Sequence, residues 1–137
     1  MTDRGVAREN GDRHGSMSAM PELEPTVLPI TVAASHLRAC AAELDAAGEM
    51  SVGELGVVLA DLVTGQRLLS SALTRLAERV EDGQAGVLAA APSPEVGALA
   101  QVLQAAAGAF GYSADALSES EPFARIAAEF AGPNARL

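Results

Sequence analysis

Residues 51–82, SVGELGVVLADLVTGQRLLSSALTRLAERVED, read as one long amphipathic helix. Ser51-Val-Gly-Glu54 is a capping box, in which the serine hydroxyl accepts from the N–H three residues on and the glutamate reaches back to the cap N–H. Met50 before the cap and Leu55 after it are placed to form the accompanying hydrophobic staple. Leu55, Leu62, Leu69 and Leu76 recur every seven residues, and Val52, Leu59, Gln66, Leu73 and Val80 form an adjoining row. Gln66 is the single polar break in these two rows. The spacing predicts a helix over 52–82, with Gly83 as its stop.

A two-stranded zipper sets charges beside its seam to choose a partner. Here those positions hold Gly56, Val63, Ser70 and Ala77 on one side, and Val58, Gly65, Ala72 and Arg79 on the other. A stripe this broad, with small edges, calls for two neighbouring helices at close range. An intramolecular bundle is therefore expected ahead of an oligomeric one.

Working outward, a helix is expected over 29–47, with Pro29 in its first turn and Gly48 as a left-handed stop. Ile30, Leu37 and Leu44 lie seven residues apart, with Ala33, Ala34, Cys40 and Ala41 between them on the same side. After a connector from Gly83 to Pro92, in which Val87 and Leu88 should be tucked in, Ser93-Pro94-Glu95 starts a third helix with Ser93 as cap. Val96, Leu99, Leu103, Ala106 and Phe110 form its expected buried edge. Gly111 should end it, so it spans 94–110, and a turn follows at 113–118. The last helix, 121–131, has Pro122 in its first turn and stops at Gly132-Pro133, with Phe123, Ile126, Ala127 and Phe130 on one face.

No stretch shows sustained β-branched alternation. The expected class is all-α: an antiparallel helical hairpin or bundle of three main helices plus a short C-terminal helix. Residues 1–25 read as a disordered lead-in and 26–137 as a single helical domain, with Met17 and Met20 as alternative starts.

The 137 residues are 49 % hydrophobic and only 3 % aromatic, with one cysteine, which excludes a disulfide scaffold or a multi-cysteine zinc site. Nine arginines and no lysine face 18 acids, for a net charge of −9. That charge repels phosphate backbones, so no nucleic-acid partner is expected. The uncharged run from Val96 to Ala114 is rich in Ala and Gly and suits a buried helix better than a membrane span. The N-terminal stretch lacks the apolar core of a secretory signal, so the expected location is cytoplasmic.

Chemistry is sparse. His36 and Cys40 stand one turn apart, but the only other histidine is His14, and zinc sites use three or four ligands. A packed cysteine beside a half-exposed histidine is the simpler reading. No lysine-bearing phosphate loop exists, and Glu81-Asp82 and Glu119-Ser-Glu121 read as solubilising charges at helix ends. No catalytic residue, cofactor or metal is expected. The expected function is association with another protein or with itself, through a surface drawn from Leu55, Leu62, Gln66, Leu69, Leu76, Phe110, Phe123 and Phe130.

A short acidic Ala/Gly-rich chain, with a helix, a Gly-containing turn and a second long helix over 31–82, resembles the small helical-hairpin proteins exported by the type VII (ESX) system of actinobacteria. The resemblance implies an exported effector or secretion partner that leaves the cell without a Sec signal. The turn Gly48-Glu-Met-Ser-Val-Gly53 departs from the family's Trp-x-Gly. The export signal, a tyrosine followed four residues later by an acid, is also not met: Tyr112 has Asp115 at three and Ala116 at four. No family site residue carries over.

Overall fold

The computed structural model describes residues 29–137. The expected lead-in, 1–25, lies outside the described residues, as does the expected domain boundary after it. Four helices are present among the described residues: α1 (Pro29–Asp45), α2 (Val52–Gly83), α3 (Ser93–Ser118) and α4 (Glu121–Ala131). No strand accompanies them, and the single β-bridge pairs Ser51 with Arg136. The protein is all-α. Its contacts divide it into two units, Met1–Ala47 and Gly48–Leu137.

In the first unit, α1 ends two residues before the expected 47. Gly48 is not left-handed; among the described residues that backbone belongs to Gly132, at φ 87°. None of α1's residues is buried: Ile30, Leu37 and Leu44 are 50 %, 48 % and 42 % exposed.

The second unit is built on α2. Its capping box forms as read, Ser51 N–H donating to Glu54 Oε2 at 2.7 Å and Glu54 N–H to Ser51 Oγ at 3.1 Å. The chain's own last residues satisfy the two remaining first-turn donors. Val52 N–H donates to the Ala135 carbonyl at 2.8 Å and Gly53 N–H to that of Pro133 at 2.9 Å. Leu137 N–H returns to the Met50 carbonyl at 2.9 Å, and Arg136 pairs with Glu49 at 3.3 Å. All the N-terminal amide donors of α2 thus find partners, which a helix end normally leaves to water. Gly53 fits closely here: a Cβ would lie 3.0 Å from the Pro133 carbonyl oxygen, so the Pro133 backbone would have to give way.

α3 lies along α2. From Arg67 through Ser70 and Glu81 to Gln84, the partners step back along α3 from Asp115 through Ala107 and Gln104 to Ser93. The seam is not the leucine row. Val63 and Ala77 are buried on α2, with Ser70 half-buried in the same seven-residue series, opposite buried Ala100, Ala107 and Ala114 on α3. Ser70 Oγ donates to the Ala107 carbonyl at 2.7 Å, and a Cβ on Gly111 would sit 3.4 Å from Ser70 Oγ. A short side chain reaches the opposite backbone only where helices approach closely, which small residues permit. The row assigned above to the edge of the stripe is therefore its centre. Leu55, Leu62, Leu69 and Leu76 close over one flank, half-buried.

Four further readings are corrected. α3 runs through Gly111 and through the expected turn at 113–118, because Gly111 serves as a small residue in the seam and not as a helix end. It begins at Ser93 with Pro92 as cap and no side-chain capping bond, so Ser93 is not the cap; its carbonyl and hydroxyl instead accept from Gln84 Nε2. Of the expected buried edge, Val96 is buried, but Leu99 and Phe110 are 49 % and 36 % exposed, since the seam follows the alanines. In the connector Leu88 packs on Gly83, whereas Val87 is 93 % exposed.

α4 follows after a tight corner at Glu119-Ser120 and packs on the first turns of α2. It spans the expected residues. Its packed side is Ala124 and Ala128; its bulky apolar side is turned outward.

Two predictions follow from this packing. Ala107→Leu forces bulk into the seam and should cost about 1–3 kcal/mol in denaturant melts, the usual penalty of overpacking; an unchanged midpoint contradicts the close approach. Gly56→Ala, with open space where its Cβ would go, should raise stability by about 0.5–1 kcal/mol. Gly53→Ala should not gain, because its Cβ meets Pro133.

Candidate interaction surface

The expected site residues separate into two groups. Leu55, Leu62, Leu69 and Leu76 are half-buried along α2, on the flank of the α2–α3 seam, and Phe110 is 36 % exposed on α3. Phe123 and Phe130 lie on α4, at 71 % and 87 % exposure, with Ile126 between them at 49 %. Residues at i, i+3 and i+7 share one side of a helix, so these three form a single apolar face. Ala124 and Ala128, on the other side of α4, make its contact with α2. An aromatic face left in water while alanines are packed inverts the usual economy of burial.

Gln66 lies half-buried on α2, and its Oε1 is buried with no hydrogen-bond partner. A buried carbonyl oxygen without a donor costs about 1–3 kcal/mol.

Between α2 and α4 lies an open cleft of about 370 Å³, lined by Val52, Gly53, Gly56, Val57 and Ala60 on one side and by Ala124 and Ala128 on the other. Glu121 and Arg125 complete its lining. The sequence reading missed this cleft. Its only trace was Gly56 inside a capped helix, where glycine costs about 1 kcal/mol relative to alanine and nothing of this chain comes within 4 Å of the missing Cβ.

His36 and Cys40 are both exposed on α1, so the packed cysteine expected there is corrected; the helix buries none of its residues. His14 lies outside the described residues. Among the described residues no three His, Cys, Asp or Glu side chains stand close enough together to hold a metal ion. Of the carboxylates singled out, Glu81 accepts from Gln104 Nε2 at 2.9 Å, and Asp115 pairs with Arg67 at 3.4 Å on the surface. Tyr112 is 79 % exposed on α3. No helix among the described residues is long and apolar enough to cross a membrane.

The chain matches no protein-family model, no curated protein and no solved structure.

Replacing Gln66 by Leu removes the orphaned oxygen and retains the packing volume. Gln66→Leu should raise the unfolding free energy by about 1 kcal/mol or more in urea or guanidinium titrations. A loss of stability would show that the amide has a partner in solution.

Proposed function

We propose that this chain is a non-catalytic cytoplasmic protein that works by binding another protein, its antiparallel helical bundle serving to hold α4 with its aromatic side outward. The observation that carries this reading is the α4 face: Phe123, Ile126 and Phe130 exposed on a helix whose alanines are packed. Aromatic side chains are enriched in the energetic centres of protein interfaces and supply large contact area with few rotatable bonds. The acidic surface favours a protein partner over nucleic acid. The reading assigns the chain no reaction and no cofactor.

The test is a photo-crosslinking amino acid placed at Phe123 or Phe130 and, as a control, at Val87, which is equally open to solvent. In cells of the source organism, both α4 positions should give one shared, discrete crosslinked species that Val87 does not. Identical patterns from all three positions, or none from any, would remove α4 as the binding surface. Recovery of the protein from culture filtrate, dependent on Tyr112 and Asp115, would move it to the exported class that its outline resembles.

A further inference from the structure

We infer that α4 and the segment after it, residues 121–137, form a clasp that opens from α2 as one cooperative unit while α2 and α3 stay paired. The inference does not rest on the role proposed for α4.

The clasp is attached in two places, and both attachments are slight. No residue from 121 to 137 is buried, and the packed side of α4 consists of Ala124 and Ala128. Beyond α4, the chain is held by three backbone bonds, from Val52 to Ala135, Gly53 to Pro133 and Leu137 to Met50. The Arg136–Glu49 pair beside them is open to water on both sides. The seam is built otherwise. Val63, Ala77, Ala100, Ala107 and Ala114 are buried there, and the bonds from Ser70 to Ala107 and from Gln104 to Glu81 lie wholly within α2 and α3. Regions with few buried apolar contacts and exposed backbone bonds open at a lower free energy than the core they rest on.

Two features make the opening a single event. α4 has 11 residues, and a helix that short is marginal in water, so it loses its own ladder once it leaves α2. Pro133 follows α4 by two residues, so α4 cannot depart without breaking the bond from Gly53. The corner before α4 suits a hinge. Glu119 and Ser120 both have right-handed helical backbone, at φ −65°, ψ −19° and φ −76°, ψ −21°. Pro122 has no N–H to continue the ladder of α3, so movement at the corner leaves α3 intact. Opening uncovers Val52, at 6 % exposure, and the α2 side of the cleft.

The experiment is native-state amide hydrogen exchange of the full chain, under conditions where reclosing outpaces exchange. The Val52 and Gly53 amides lie in the first turn of α2, which offers them no intrahelical acceptor, so their protection reports the clasp. These two and the amides of 125–131 should share one protection level, about tenfold or more below that of 63–77 and 100–114. Gly53→Ala crowds Pro133, and Ala128→Asp disrupts the packed side of α4. Each should quicken exchange at Val52 and across 125–131 together, with 63–77 and 100–114 unchanged. One protection level across all of 48–137 overturns the inference, as do separate levels for Val52 and 125–131. So does a variant that acts on only one of these two regions, on neither, or equally on the seam. Loss of the α4 crosslinks would leave this result unchanged, and a single protection level here would leave the α4 reading unchanged.

Discussion

The hydroxyl of Ser70 lies 2.7 Å from the Ala107 carbonyl, and the closeness this requires between α2 and α3 governs the rest of the second unit. Backbones at that range leave room only for Ala, Ser and an occasional Val along the centre, which is what 63, 70 and 77 present to 100, 107 and 114. Larger residues are then displaced to the flanks. That displacement leaves the leucine row half-covered and Leu99, Val102 and Phe110 partly or largely in solvent. The stability of such a seam comes from many close contacts between small groups and not from a few deeply buried large ones. The absence of any large, fully buried side chain among the described residues is the same fact in another form.

A second constraint acts at the start of α2. The capping box occupies the Ser51 and Glu54 amides, and the segment after α4 occupies those of Val52 and Gly53. Because that segment follows directly on α4, the bonds that complete the cap also hold α4 across the first turns of α2. The helix therefore needs little burial of its own, and none of its residues is buried. The Arg136–Glu49 pair is exposed on both sides and adds little, as surface ion pairs generally do. The backbone bonds and the close fit of Gly53 to Pro133 fix the arrangement. Freed from core packing, the bulky side of α4 remains in water, where it is available to a partner.

Much of this was legible in the sequence. Local rules operate within a few residues, so the capping box at Ser51, the start of α4 at Glu121-Pro122 and its stop at Gly132 could be read from spacing and residue type alone. The same rules misplaced the end of α3, because glycine marks either a chain reversal or a close approach, and only the neighbour across the seam distinguishes them. Gly111 has Ser70 beside it; Gly132 has a positive φ. Exposed Phe123 and Phe130 were among the anticipated surface residues, whereas the cleft beside them was not, since it is formed by residues some seventy positions apart.

Hydrophobic periodicity determined that the chain is all-α, where α2 and α4 lie and which residues could share a side, because those properties follow from the 3.6-residue turn and from hydrogen bonds closed within a few positions. It could not determine which of two adjacent rows on α2 would meet α3. The leucine row and the small row both satisfy the period, and bulk suggested the leucines. Only the tertiary structure decided for the small row, because the choice depends on how closely two distant segments can bring their backbones together, and no single helix carries that distance.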